Sequence, residues 1–253
     1  MNSFYMQHSY PLEVERAKRE HWPVLLPVGT MEYHSHHCPF GTDALVAEGL
    51  AREIAKRRDC MILPTIYYGV SSYAVGGPEK NTINMDPAVL EAYVYNILKS
   101  LFMSGFNRNI CILIRHQTEE FLPTALACMN AAKKLTFEYL EKERGYGWWG
   151  DKKNKGFYDN LSPEENPWNW IRVFNGARFP ADPKYNRGDH AGVFECSHME
   201  YLYPGSIKLE RLDYSSDWFA ESAQYMSAEE GKRSIEHAAE AILEALDTGK
   251  RFY

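Results

Sequence analysis

Between Gly29 and Asp43 the chain reads Gly-Thr-Met-Glu-Tyr-His-Ser-His-His-Cys-Pro-Phe-Gly-Thr-Asp. Glu32, His34, His36, His37 and Asp43 put carboxylates and imidazoles into one short stretch. Those are the donors that zinc, manganese and iron accept. Glu32 and His34, two positions apart, can deliver two ligands from one loop. Asp43 stands nine residues after His34, where a helix can begin. A carboxylate there is favoured by the exposed N–H groups and the helix dipole. Taken singly, Asp43 reads equally as a helix cap and Glu32 as a solvated loop residue. Taken together behind an apolar run, the set reads as a metal site.

Two further constellations carry the same chemistry. His116 ends the apolar run Ile110 to Ile114, at the C-terminal end of what should be a central strand. Open α/β sheets place their ligands in the crevice beyond such strand ends. Alone, His116 could also be a satisfied buried histidine. The stretch Asp189-His190-Ala191-Gly192-Val193-Phe194-Glu195-Cys196-Ser197 sets His190 and Glu195 around small residues that allow close backbone approach. Its plainer reading is a helix start capped by Asp189.

The elements that must position these groups follow from pattern. A strand at about 23–28 precedes the His-rich loop, and Thr42 or Asp43 starts a helix running to about Arg58. Its apolar positions Leu45, Val46, Leu50 and Ile54 recur at helical spacing. Met61 to Leu63 reads as a second strand. Asp86-Pro87 caps a helix that stops at Gly105. Residues 110–115 form a near-continuous apolar strand, as a buried parallel strand should. A long helix spans about 120–143, and 171–174 reads as a further strand. Ser227-Ala228-Glu229-Glu230 is a capping box that opens a last helix over about 228–247. Strand and helix alternate, which predicts one α/β domain over 1–253, a sandwich with a mostly parallel central sheet. An irregular stretch rich in Trp and Tyr, 145–170, interrupts the alternation as an insert or as a lid over a flat substrate.

Composition narrows the function. The chain has 253 residues, 45% hydrophobic, with a net charge of −6. That suits a packed domain and gives no electrostatic footprint for nucleic acid or an anionic membrane. No apolar run approaches the roughly 18 residues of a membrane span. Met1 to Glu20 turns polar after its first residues and does not read as a signal peptide. The five cysteines lack a CxxC pair, which fits a reducing cytoplasm rather than a disulfide framework.

At these residues the chain resembles the creatininase (creatinine amidohydrolase) family. Glu32, His34, His37, Pro39, Thr42 and Asp43 match the spacing of its first signature, Gly-Ser-x-Glu-Gln-His-Gly-x-His-Leu-Pro followed by Thr-Asp. Gly188 to Ser197 resembles the second, His-Ala-Gly-x-x-Glu-Thr-Ser, with Cys196 in place of threonine. His116 falls where the family has Asn-Gly-His-Gly-Gly-Asn. The resemblance implies an α/β/α fold, a homo-oligomer that is often a hexamer, and a centre of two divalent metals, zinc first, with manganese or iron also suited. It implies Glu32 and His116 on one metal, His34 and Glu195 on the other, and Asp43 bridging. His190 resembles the residue that shuttles a proton to the leaving group. The activity implied is hydrolysis of a small cyclic amide or another non-peptide C–N bond by a metal-activated water. Some members are similar to hydrolases of inositol-derived cyclic diketones, so C–C cleavage on the same centre is the alternative. A non-catalytic, metal-stabilised binding or assembly protein is a third reading.

The chain also departs from the pattern. Around His116 it reads Ile114-Arg115-His116-Gln117-Thr118-Glu119, without the flanking glycines. Creatininase itself has a glutamate where Thr118 stands, which favours Glu195 as the second-metal carboxylate and leaves Glu119 in reserve. Tyr33 and Ser35 replace the usual glutamine and glycine. These changes point to a divergent branch that keeps the metal chemistry and takes a small-molecule substrate of its own.

Overall fold

The computed structural model describes residues 5–116, 122–175 and 189–249. Four parallel strands form the sheet: β1 (Val24–Val28), β2 (Met61–Ile62), β3 (Ile110–Ile114) and β4 (Ile171–Asn175), in the order β2-β1-β3-β4. Val24 to Val28 pairs residue for residue with Ile110 to Ile114, which in turn pairs with Ile171 to Asn175. β1 and β3 are buried along their whole length, so both central strands are continuously apolar. The chain order along the sheet reverses between β1 and β3, and that is where a crevice opens at the carboxyl ends.

Alternate residues of each strand feed two cores, as a period of two requires. Val24, Leu26, Val28, Ile110, Ile112 and Ile114 face the first, shared with α1 (Pro11–Arg19), α3 (Pro87–Met103) and α4 (Pro123–Arg144). Leu25, Cys111 and Leu113 face the second, shared with α2 (Thr42–Ala55), α5 (Val193–Leu202) and α6 (Ala228–Thr248). The architecture is therefore the α/β/α sandwich expected, with an all-parallel sheet.

The helix over 87–103 is capped by Asp86, whose carboxylate accepts from the Ala88 N–H, and Ser227 caps α6 on Glu230. Sequence pattern missed α1, whose stripe buries only Ala17, and left α5 as the plainer of two readings. The helix-start reading of 189–197 holds: Asp189 accepts from the Phe194 and Glu195 N–H groups at 2.8 and 3.1 Å, and α5 begins at Val193.

The aromatic stretch packs along the outer side of α4. Trp168 meets Phe137 and Trp170 meets Tyr139, with ring centroids 5.0 and 5.1 Å apart. Arg144 lies over the rings of Trp148 and Phe157. Among the described residues, none of these ring contacts reaches Glu32, His34, Asp43, His116 or Glu195. Glu119 and Gly188 lie outside the described residues.

Candidate metal centre

β1 ends at Val28 and the chain turns sharply at Gly29. A Cβ on Gly29 would stand 2.2 Å from the Ala44 backbone nitrogen, so the loop touches the first turn of α2 and needs glycine there. The contact brings Asp43, at the start of α2, beside the loop that carries Glu32 and His34. β3 delivers His116 from the neighbouring strand, and α5 closes the crevice with Glu195 in its first turn. Glu32, His34, Asp43 and His116 are all buried.

The five side chains converge. The two oxygens of Asp43 face different imidazoles: Oδ1 is 3.4 Å from His34 Nε2, and Oδ2 is 3.0 Å from His116 Nδ1. Glu32 Oε1 lies 3.3 Å from His116 Nδ1, and Glu195 Oε2 lies 3.5 Å from His34 Nε2. Two half-sites result: Glu32, Asp43 and His116 in one, and His34, Asp43 and Glu195 in the other. Each holds one imidazole and two carboxylates, with Asp43 common to both.

The loop fixes which nitrogen faces inward. His34 Nδ1–H donates to the Glu32 carbonyl at 3.0 Å, which leaves the Nε2 lone pair for the crevice. His190 does the reverse: its Nε2–H donates to the Tyr33 carbonyl at 2.8 Å. Its Nδ1 then faces Glu32 Oε1 at 3.6 Å, and its ring stacks on His34 with centroids 4.3 Å apart. His190 also completes a possible donor group with Glu32 and His34.

The electrostatics ask for a cation. Among the described residues, every ion pair of Glu32, Asp43 and Glu195 is with an imidazole. Buried carboxylates without a countercharge are costly. Burial works against protonation of His34, yet the carboxylates of Asp43, Glu195 and Glu32 outweigh it and hold its pKa up at about 10. His116 is raised in the same way by Asp43 and Glu32, against its burial. Burial also opposes charge on Asp43, but the two imidazoles keep it ionised well below the usual carboxylate range. Glu195 is pushed up, first by burial and then by the repulsion of Asp43 and Asp189. His190 is pushed down to about 3 by burial and by His34 beside it. The imidazoles thus hold their protons against these carboxylates, and Arg115 is a further positive charge that acts on Glu195 and Asp43. Among the described residues, buried His34 Nε2, which faces Asp43 and Glu195, has no hydrogen-bond partner. A divalent cation taking the place of those protons fits this donor set.

Several supporting residues escaped the sequence reading. Thr30 donates its hydroxyl to Asp43 Oδ2, and the Ala191 N–H holds Glu195 Oε2 at 2.7 Å. Metal-ligand carboxylates are commonly oriented by such outer hydrogen bonds. Thr30 stands in the first motif and could have been noticed. Asp217 could not, because nothing in its surroundings is patterned. Its carboxylate accepts from Tyr33 Oη at 2.7 Å and from Ser215 Oγ at 2.7 Å, with Lys80 Nζ at 3.4 Å. That network holds the residue whose carbonyl orients His190. Arg115 adds a buried guanidinium at the end of β3, donating to His198 Nδ1 at 3.2 Å. Ser35, at the glycine position of the first motif, adopts a left-handed φ of 59°.

Comparison with known proteins gives the family. Residues 8–226 match the sequence model described as creatinine amidohydrolase, that is, creatininase. A creatinine amidohydrolase of Pseudomonas putida is 25% identical over 194 residues, 75% of this chain and 67% of that protein. A 3-dehydro-scyllo-inosose hydrolase of Thermotoga maritima is 26% identical over 103 residues, 41% of this chain and 32% of that protein. Among solved structures, a creatininase superposes with a TM-score of 0.74 at 21% identity, covering 97% of each chain. A manganese form of creatininase (TM-score 0.72, 96% and 97% covered) and a Zn–Zn form of a variant (0.73, 97% of each) share that identity of 21%. At that identity the superpositions speak for the fold. The profile match over most of the chain identifies the family: this protein is a member of the creatininase family of hydrolases.

Proposed function

We propose that this protein is a metal-dependent amidohydrolase that opens a small cyclic amide, or another non-peptide C–N bond, at a centre of two divalent metals. The observation that carries the reading is the divided carboxylate of Asp43, one oxygen toward His34 and the other toward His116. Glu32 and His116 would hold one metal, His34 and Glu195 the other, and Asp43 both. Nitrogen and carboxylate donors in this mixture suit zinc, with manganese or iron as alternatives. When bound, such metals polarise a substrate carbonyl and acidify a water.

The chain's own groups do the rest. His190 presents an unprotonated Nδ1 to the crevice because its Nε2 proton is committed to the Tyr33 carbonyl. It is placed to accept the proton of the attacking water and return it to the leaving nitrogen. Tyr33, held by Asp217, keeps the ring oriented. Stacking against His34 fixes the ring plane. We further propose that 1–253 acts as one domain, in the cytoplasm, as a homo-oligomer of up to six copies. The described residues contain no helix long and apolar enough to cross a membrane.

The test is direct. Metal analysis of the purified protein should give two divalent ions per chain. A panel of creatinine, other ring amides and cyclic diketones should then show turnover of a ring amide, lost on chelation and restored by zinc or manganese. The likeness to the inosose hydrolase makes the diketones the informative competitor. Turnover of a diketone alone would move the assignment to C–C cleavage, and fewer than two bound metals would remove the dinuclear assignment.

A further inference from the structure

Beside the carboxylate centre lies a second cluster that the proposed hydrolysis does not use. Cys38 follows the His-rich loop, and Cys196 follows Glu195 on α5. Their sulfurs are 3.4 Å apart across a separation of 158 residues. The other three cysteines, Cys60, Cys111 and Cys128, are each 0% exposed. The family signatures have leucine and threonine at the positions of Cys38 and Cys196. Both thiols are thus replacements, on two motifs far apart in sequence, and they meet.

We propose that Cys38 and Cys196 form a reversible disulfide, a redox-sensitive clasp between the 29–41 loop and α5, with a peroxide as oxidant and a small thiol as reductant. A disulfide needs its sulfurs about 2.05 Å apart, so the pair must close by roughly 1.4 Å. Side-chain rotation covers such a distance more readily than backbone movement does. The surroundings tolerate the change. His37 Nε2–H donates to the Ala191 carbonyl at 2.9 Å and keeps that partner. Among the described residues, the Cys196 sulfur meets only His37 Nε2 and the Ala191 carbonyl besides Cys38, each at 3.5 Å. Loss of the thiol hydrogens therefore strands no strong donor. His37 Nε2 and the two sulfurs also lie close enough to share a metal ion. The ring nitrogen nearest the sulfurs carries its proton to Ala191, which disfavours that occupant.

The chemistry balances. Cys38 is 8% exposed and Cys196 is 0% exposed, so peroxide reaches Cys38 first. The Cys38 sulfur gives up its proton and, as the thiolate, attacks a peroxide oxygen; the O–O bond breaks, giving a sulfenic acid and hydroxide, which takes up that proton and leaves as one water. The Cys196 sulfur then displaces the sulfenic oxygen, which leaves as a second water with the Cys196 proton. Two thiols and one hydrogen peroxide become one disulfide and two waters. The clasp does not depend on the hydrolytic reading, because its formation and its effect on stability are read without substrate.

The experiment uses the full chain, freed of reductant, treated with hydrogen peroxide, denatured, alkylated and digested without reduction. Mass spectrometry should find the Cys38 and Cys196 peptides linked, two hydrogens lighter than their sum, with the other three cysteines alkylated. Closing so long a loop should raise Tm by about 4–10 °C, reversed by dithiothreitol. Cys196→Thr, which restores the family's own residue and so keeps the fold, should abolish both the linked peptide and the rise. Sulfinic acid at Cys38 without a link, or zinc retained by the pair through peroxide treatment, would overturn the proposal. So would a linked peptide with no change in Tm.

Discussion

Two clusters are built from the same pair of chain segments, the 29–43 loop and the start of α5, and they differ in what they ask of a cation. In the carboxylate cluster, Glu32, Asp43 and Glu195 crowd the imidazoles of His34 and His116. In the thiol cluster, the hydrogen bond with Cys196 and burial push the Cys38 thiol far up, while the same hydrogen bond draws Cys196 down to about 6. His37, meanwhile, spends its Nε2 proton on a backbone carbonyl. The lesson lies in charge rather than in donor type. Asp43, buried between two imidazoles, stays ionised and demands compensation, whereas the buried Cys38 thiol keeps its proton at rest. Donor groups a few ångströms apart thus divide into one set with a carboxylate held ionised between imidazoles and one built on two sulfurs.

The strongest way to break this contrast is to remove the shared carboxylate. Asp43→Ala should abolish hydrolysis and lower bound metal by at least one ion per chain, measured by plasma mass spectrometry. The Cys38 and Cys196 thiols should be as protected from alkylation as in the parent chain. Full metal content and turnover in this variant would sink the bridging role. Exposure of the thiols would show instead that the two clusters are one structural unit.

His190→Asn tests the inner surface of the same centre. It should keep normal metal content while the chemical step slows by about 100- to 10,000-fold, the usual loss for a general acid or base. A substrate with a better leaving group should recover part of the rate. Because His190 Nδ1 also lies within reach of a group containing Glu32 and His34, loss of metal is the outcome that would make it a ligand. A smaller effect is expected one layer out. Thr30→Val removes the hydroxyl that donates to Asp43 and should weaken metal affinity by roughly 10- to 100-fold, with little change in turnover at saturating metal. Unchanged affinity would mean that α2 alone holds Asp43 in place.

The sheet and its ligand-bearing ends were legible because strong signals coincide there. Val24 to Val28 and Ile110 to Ile114 are continuously apolar, and each leads into polar residues with no alternative use in a core. Glu32, His34, Asp43, His116, His190 and Glu195 stood out for the same reason, and the fold brings all six to one crevice. What sequence could not show was the geometry that depends on a single rotamer or a distant loop. The inward nitrogens of His34 and His190 are set by backbone carbonyls at Glu32 and Tyr33, and no spacing rule reveals that choice. Helix α1 was missed because it buries a single alanine and so lacks the apolar stripe that periodicity detects. The meeting of Cys38 with Cys196 needed the fold itself.

The weakest expected effect concerns Asp217, the outermost support of the centre. Burial alone would raise its pKa, but hydrogen bonds from Ser215, Tyr33 and Ser35 and the charge of Lys80 bring it down to about 2 from the usual 3.8. A folded-state pKa below the unfolded one means that the stabilisation is complete above about pH 3.8. It is lost as pH falls through about 2. The side chain of Lys80 is 38% exposed, so solvent screens part of its contribution. Asp217→Asn should therefore lower Tm at pH 6 by only about 2–4 °C, the shift that roughly 1 kcal/mol makes in a chain of this size. The gap between parent and variant should close as the pH is taken down toward 2, because the parent's carboxylate becomes protonated there. Thermal unfolding of both proteins across that range isolates this group, since every other carboxylate titrates in both. A gap that stays constant with pH would show that Asp217 acts through its shape and hydrogen bonds rather than its charge. A variant that also loses turnover at pH 6 with unchanged metal content would tie the network, through the Tyr33 carbonyl, to the orientation of His190.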